Sequence, residues 1–434
     1  MRWNWFASYH FFFKRIEERK QREERERLFY ENGSKLLEKL IASCNAKPIP
    51  IRTFSAQQLR QATNNFSSEK LVMGFSIWYK GSLEGQIVLI KGSFVHNVKL
   101  IPIRTFSPQQ LRQATNNYLS QHLGIYWYKG SLEGRIVLIK RLDNLAYIAI
   151  NDLVISAQMS GHSNVLRPIG CCLHTRIPIL VFEFAANGLL ADRIYVSRVT
   201  ELQHEPMVWE SRLKIARQIA HALSYLHTAF PRPVIYMAMD LHSILLDEHD
   251  VPKLSHFHFS VSIPEGEVDV DAPFLSTFKS PEFKTAGKVT EKADVYDFGR
   301  FLLELLTGDD SFKDSTFIAY IHNCAQGSCI NEIVDPAILA EGGASLQHQL
   351  QAVVDLALAC TEEDPQTRPT MVDVTKQLRR IERFTKMGEK LGGNLQNLKL
   401  RESFEEHAFV SLKRNASSDE IQAVNEASER PLEV

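Results

Sequence analysis

The stretch Val234-Ile235-Tyr236-Met237-Ala238-Met239-Asp240-Leu241-His242-Ser243-Ile244-Leu245-Leu246-Asp247-Glu248 decides how this chain reads. Its residues are mostly apolar, and few of them can do chemistry. Ala238 has no proton acceptor, Met237 carries no charge, and Ser243 offers only a neutral hydroxyl. Asp240 is a lone carboxylate ahead of the apolar run. Working outward, Ser211 to Thr228 places Leu213, Ala216, Ile219, Ala220, Leu223 and Leu226 on one helical face. Downstream, Val251-Pro252-Lys253-Leu254-Ser255-His256-Phe257-His258-Phe259 reads as a strand carrying two histidines, and Ala293 to Leu306 as a second apolar helix. Gln347–Cys360 and Met371–Phe384 are a third and a fourth.

Composition bounds the answer. The 434 residues are 44% apolar, enough for a sizeable core in two or three domains or one two-lobed domain. Fifty Lys and Arg against 51 Asp and Glu leave a net charge of −1, which gives no argument for a nucleic-acid partner. Six cysteines (44, 171, 172, 324, 329 and 360) lack zinc-site spacing and suit a reducing, cytoplasmic setting. The early apolar cluster Trp5–Phe13 is too short to span a bilayer and lacks a signal-peptide cleavage site. Arg2 stands where N-myristoylation needs glycine. Residues 1–30 pass from an aromatic patch into mixed charge, Lys14 to Arg27. They read as a solvated helix with Glu/Arg pairs, with peripheral contact at the inner face of the plasma membrane as the alternative.

An internal repeat follows. IPIRTFSAQQLRQATNNF (49–66) returns as IPIRTFSPQQLRQATNNY (101–118), and WYKGSLEGQIVLIK (78–91) as WYKGSLEGRIVLIK (127–140). Each copy reads as a short helix, Gln57–Asn64 or Gln109–Asn116, then two strands joined by a Leu-Glu-Gly turn. Only the second copy runs into strand Val137–Ile139, helix Ile148–Gln158 and strands Leu166–Leu173 and Ile179–Phe184. The first copy cannot bury its apolar face alone. It is an accessory element on the body or an error in the gene model. The expected organisation is a charged and aromatic segment (1–48), a duplicated half-sheet (49–100), a sheet-rich lobe (101–186), a helical lobe (187–385) and a weakly ordered polar tail (386–434). The fold class is α+β with two lobes.

These segments together resemble a plant receptor-like protein kinase domain over roughly residues 101–384. Thr290-Glu291-Lys292-Ala293-Asp294-Val295-Tyr296-Asp297-Phe298-Gly299 is similar to the family's central C-lobe helix, with Asp294 holding the catalytic-loop backbone. Ser280-Pro281-Glu282 matches the A-P-E motif, and Arg368 in Asp364-Pro365-Gln366-Thr367-Arg368-Pro369 matches the buried arginine paired with that glutamate. Phe29 to Ala42 with Asn32-Gly33, Cys44-Asn45 and the Ala-Thr-Asn-Asn repeats resemble wall-associated-kinase-like proteins. The degraded loops resemble their small cytosolic relatives. That resemblance implies a pseudokinase adaptor for a nucleotide-binding leucine-rich-repeat immune receptor, with other receptor-like cytoplasmic kinases as further partners.

By the same resemblance, the reaction's residues can be placed one by one. Tyr236, Met237 and Ala238 stand for H-R-D, so the base is absent and so is the arginine that receives an activation-segment phosphate. Ser243 stands for the asparagine on the second metal. His256 and His258 stand for the Asp and Gly of D-F-G, and magnesium, a hard oxygen-seeking ion, is poorly served there. Leu123-Gly124-Ile125-Tyr126-Trp127-Tyr128 keeps one glycine of the phosphate-covering loop. Lys140 closes Val137-Leu138-Ile139-Lys140 at the ATP-facing lysine position, or is a strand-end lysine facing water. Asp152 is the candidate helix acid for it, in a strained or water-bridged pair, or a surface acid. ATP contact through Lys140 and Asp152 stays open. Asp240 is a weak substitute base near the departing phosphate. His256 and His258 as zinc ligands are a minor alternative, two being too few for a closed site. Tyr236 and Phe257 keep the aromatic bulk of the family's regulatory spine. Ser276 and Thr277 are candidate acceptors for another kinase. The expectation is therefore a catalytically inactive adaptor, with no required cofactor. Residual ATP-dependent serine/threonine kinase activity and a nucleotide switch without transfer are the rivals.

Overall fold

The computed structural model describes residues 3–43, 52–53, 70–73, 76–83, 86–92, 99–100, 104–119, 122–123, 126–142, 146–195, 207–272, 280–309, 315–326 and 329–390. It opens with a long helix, α1 (Trp3–Ser43). The repeat follows as β1 (Arg52–Thr53), β2 (Lys70–Met73), β3 (Ser76–Leu83), β4 (Gln86–Gly92) and β5 (Lys99–Leu100). Strands β2, β3 and β4 form their own antiparallel sheet, and β1 pairs with β5. The second copy forms β6 (Arg104–Thr105), α2 (Pro108–Ala114), β7 (His122–Leu123), β8 (Trp127–Leu132) and β9 (Arg135–Lys140). Helix α2 starts on a capping box, Ser107 with Gln110, and Pro108 takes the first turn, where its missing N–H costs nothing. The expected helix of the first copy, 57–64, lies outside the described residues.

Alternating apolar residues and the Glu133-Gly134 turn, both residues at positive φ (52° and 74°), set the β8–β9 hairpin. It joins β10 (Pro168–Cys172) and β11 (Ile179–Phe182) in a six-stranded sheet of order β6-β10-β11-β9-β8-β7. At Gly170 the parallel neighbour comes so close that a Cβ would stand 2.2 Å from the Arg104 carbonyl oxygen. Helix α3 (Ala146–Gln158) packs on this sheet.

Helices dominate beyond α4 (Leu190–Ile194). They are α5 (Trp209–Thr228), α6 (Pro281–Ala286), α7 (Glu291–Thr307), α8 (Ser315–Gln326), α9 (Pro336–Leu339), α10 (Ala344–Cys360) and α11 (Met371–Lys390). Small sheets between α5 and α6 carry the loops of interest: β12 (Val234–Ile235) with β15 (Val261–Ser262), and β13 (Ile244–Leu246) with β14 (Pro252–Leu254). The apolar stripe of α5 meets Phe298 and Leu302 of α7 and Val354 of α10 in the larger core. The chain is thus a sheet-bearing lobe followed by a helical lobe, an α+β kinase fold. Contacts divide it into Met1–Glu382 and Arg383–Val434. Helix α11 runs beyond Phe384, so 386–390 are helical, and the rest of the expected tail lies outside the described residues.

The charged run Lys14–Arg27 is helical and largely exposed, as the reading of a solvated helix expects. Arg19–Glu23 and Lys35–Glu31 do pair at i,i+4 on exposed faces. Past Leu28, however, Phe29, Tyr30, Leu36 and Leu40 are buried in the core of the sheet lobe, beside Leu153 and Leu180. Asn32 Nδ2 donates to the carbonyls of Leu173 (3.0 Å) and Thr175 (2.9 Å). Phe29, Tyr30, Leu36 and Leu40 thus tie this end of α1 to the sheet lobe. No helix among the described residues is long and apolar enough to cross a membrane.

Candidate functional site

The loop after β12 hangs on Asp294, in the first turn of α7. Its carboxylate accepts the backbone N–H of Tyr236 (2.7 Å) and of Met237 (2.9 Å), and it pairs with His227 Nε2 at 2.8 Å. Met237 is held at φ 63°, a strained setting for a side chain of its bulk. It lies buried against Ile235, Ile263, Val289 and Ala293, so apolar contacts fill the place of a phosphate-receiving arginine. Ala238 lines the cleft between the lobes with no group to present. Ser243 is buried and committed: its hydroxyl donates to Asp240 O (2.6 Å), and its own carbonyl accepts from Ser255 Oγ (2.7 Å). Asp240 accepts from His242 N (2.8 Å) and lies 2.7 Å from His242 Nδ1, which raises the imidazole's pKa. The proposed substitute base is thus a turn cap already engaged with a histidine.

Lys140 and Asp152 meet directly. Nζ lies 2.6 Å from Oδ2, and both side chains are fully buried. The expectation of a strained or water-bridged pair is corrected, as are the alternatives of a water-facing lysine and a surface acid. The missing methylene is absorbed because α3 sits close to the 257–260 turn. Asp152 Oδ1 accepts the Phe257 N–H at 2.9 Å. Its neighbour Asn151 spreads Nδ2 over three carbonyls, those of Phe257 (3.1 Å), His258 (3.0 Å) and Ser260 (2.8 Å). Burial lowers the Lys140 pKa, and Asp152 opposes that shift.

Trp127 closes the other side. It sits opposite Lys140 across the β8–β9 hairpin, is buried, and places its ring 4.9 Å from Nζ. The indole N–H donates to His256 Nε2 at 3.0 Å, and the two rings stack at 27°. His256 is therefore the neutral tautomer with its proton on Nδ1. Burial, then the nearby Lys140 charge, holds its pKa well below the ordinary value, and the same causes push His258 down to about 4. The two are not residues of one strand. His256 takes a left-handed conformation (φ 67°), and Phe257–Phe259 is a turn of 3-10 helix. Their rings lie 5.4 Å apart. Among the described residues no group of three or more His, Cys, Asp or Glu side chains could hold a metal, so the zinc alternative has no third ligand.

What remains of the cleft is a cavity of about 280 Å³ lined by Tyr126, Trp127, Met239, His256, His258 and Phe259 among others. Lys140 and Asp152 do not line it. Tyr126 stands edge-on to both histidines, at 5.8 and 6.3 Å. Gly124 lies outside the described residues, as do Ser276 and Thr277. The donor set does not fit a magnesium–nucleotide. The D-F-G carboxylate position holds an imidazole already hydrogen-bonded to an indole, and the phosphate lysine is sealed behind that indole.

The surrounding frame is intact. Tyr236 and Phe257 meet edge-on at 5.3 Å, and the Tyr236 hydroxyl donates to the Ser255 carbonyl. Glu282 and Arg368 form a two-pronged pair at 2.8 and 2.9 Å. Arg368 also donates to the Glu362, Lys292 and Glu363 carbonyls. Sequence reasoning missed Trp127 and Asn151. The signal for Trp127 was its place opposite Lys140 in a hairpin of known register. Asn151 was signalled only by adjacency to Asp152.

Residues 123–378, more than half of the chain, match the model of the protein tyrosine and serine/threonine kinase family. The Arabidopsis thaliana serine/threonine-protein kinase ZRK1 is 33% identical over 375 residues, covering 84% of this chain and 95% of its own. The non-functional pseudokinase ZED1 of the same plant is 33% identical over 384 residues, with 84% and 99% covered. Its wall-associated receptor kinase-like 1 is 29% identical over 387 residues, covering 87% of this chain and 46% of its own.

Proposed function

The chain belongs to the protein tyrosine and serine/threonine kinase family, and we propose that it serves there as a catalytically inactive adaptor. One observation carries this reading: the Lys140–Asp152 pair is fully buried behind Trp127, whose indole is bonded to the residue at the metal-ligand position. Phosphoryl transfer depends on positioned cations at the phosphates. Here the lysine faces a carboxylate and an indole. Asp240, half-exposed and bound to His242, offers little as a base.

What persists is packing. The Asp294 anchor, the Tyr236–Phe257 contact and the Glu282–Arg368 pair keep the two-lobed shape while the reactive positions carry other chemistry. A shape kept in this way works through its surface. By resemblance, one surface binds a leucine-rich-repeat immune receptor and another binds receptor-like cytoplasmic kinases, in plant immune signalling at the cytoplasmic face of the plasma membrane. ATP and magnesium are not required.

Two experiments test the reading. Purified chain is incubated with labelled Mg-ATP or Mn-ATP; no phosphate incorporation is expected. Incorporation that vanishes in Lys140→Ala would overturn the inactive assignment. Co-purification with leucine-rich-repeat receptors of the same plant tests the adaptor role. Failure with every candidate receptor leaves the inactive fold standing and removes the adaptor.

A further inference from the structure

Helix α8 ends between two cysteines. The backbone N–H of Cys329 donates to the carbonyl of Cys324 at 3.1 Å. This bond folds Cys329 back onto the last turn of α8, at a helix end of the kind where two side chains commonly come together. The side chain follows: Cys329 Sγ lies 3.5 Å from the Cys324 carbonyl oxygen. Both are free thiols, Cys324 buried and Cys329 half-exposed. The other described cysteines, Cys171, Cys172 and Cys360, are buried, and burial raises their pKa values.

We propose that Cys324 and Cys329 form a reversible oxidation site, with Cys329 taking the first oxidising equivalent from a peroxide and Cys324 closing the disulfide. The steps balance. The Cys329 thiolate attacks hydrogen peroxide, forming an S–O bond as the O–O bond breaks and hydroxide leaves, which gives a sulfenic acid. The Cys324 thiolate then attacks that sulfur, and hydroxide leaves to be protonated to water. In sum, two thiols and one peroxide give one disulfide and two waters. A dithiol reductant reverses the change by returning two electrons. The hydrogen bond with Cys324 holds the Cys329 thiol above its ordinary pKa. A small thiolate fraction makes the site slow to oxidise. Closing the bond ties the end of α8 to the 3-10 turn Ile330–Glu332, beside Tyr320, whose ring is half-exposed.

The test uses the full chain, reduced, treated with hydrogen peroxide, then alkylated under native conditions and mapped by mass spectrometry. A Cys324–Cys329 cross-linked peptide, two hydrogens lighter and lost on dithiothreitol treatment, is expected. In Cys324→Ser, Cys329 should instead be trapped by dimedone as the sulfenic acid. Wild-type chain whose Cys329 stays reduced, or oxidises beyond sulfenic acid without linking to Cys324, would overturn the proposal. So would a disulfide formed equally by Cys171 or Cys360.

Discussion

Trp127 donates its indole N–H to His256 Nε2 across 3.0 Å, joining the sheet lobe to the turn that would otherwise bind metal. The bond uses the imidazole's one acceptor nitrogen at the wall of the cleft, where the ring is partly buried. Trp127→Phe keeps the ring over Lys140 but orphans that nitrogen. A buried polar atom left unpaired costs about 1–3 kcal/mol. We expect the urea midpoint to fall accordingly, with no gain of ATP binding. An unchanged midpoint would mean that the indole contributes packing alone.

The Lys140–Asp152 pair makes a sharper prediction, because in this chain its loss registers as stability. Lys140→Ala leaves a carboxylate buried with no countercharge. Breaking a buried pair in this way costs about 3–5 kcal/mol. The double variant Lys140→Met with Asp152→Leu removes both charges at similar volume and should recover most of that loss. Asp152 also accepts the Phe257 N–H, so recovery will be incomplete by about 1 kcal/mol. Chemical denaturation of Lys140→Met, Asp152→Leu and the double variant closes the cycle. Additive losses in the double variant would contradict the coupling.

Much of this was legible in the sequence, and for identifiable reasons. The apolar periodicity of α5, α7 and α10 gave the helical lobe because burial repeats every 3.6 residues. The Leu-Glu-Gly turn fixed the hairpin. Asp294, Glu282 and Arg368 stood out because the motifs around them resemble those of a kinase C-lobe. Asp152 was found, but its reach was misjudged. Side-chain length says nothing of how near α3 comes to the 257–260 turn, and Asn151, which draws that turn in, has no pattern of its own. His256 and His258 looked like strand neighbours because a left-handed residue cannot be read from a histidine. Phe29 to Leu40 were hidden behind a charged run whose polar character extends only to Arg27.

Asn32 gives the docked end of α1 its own test. Its amide satisfies two carbonyls, of Leu173 and Thr175, at a strand end that α1 shields from water. Asn32→Ala should cost about 1–3 kcal/mol, since buried acceptors lose their donor. The local signature is faster proteolysis within 29–43, where docking no longer protects the backbone. Truncation of residues 1–20 should leave stability nearly unchanged, because the described side chains from Lys14 to Lys20 are largely exposed. A truncation that destabilises as much as Asn32→Ala would assign the docking to the wrong part of the helix.

The histidines predict a direction for acid. His256 and His258 both have folded pKa values below the ordinary 6.5, through burial first and the Lys140 charge second, and His258 lies at about 4. His162, half-buried against His221, is also pushed down to about 4. A base whose pKa is depressed by folding takes up its proton more readily in the unfolded chain. As pH falls through 6.5, the unfolded state therefore binds more protons, and stability declines until the folded pKa is reached. By pH 5 His258 should have cost about 2 kcal/mol, on the scale of 1.36 kcal/mol per pH unit, and His256 adds to the decline in the same direction. Urea midpoints at pH 7.5, 6 and 5 measure the decline. His258→Gln, which cannot titrate, should make it shallower between pH 6.5 and about 4, with His256 and His162 still contributing. A profile that stays level over that range in the parent chain would show that folding does not depress these imidazoles.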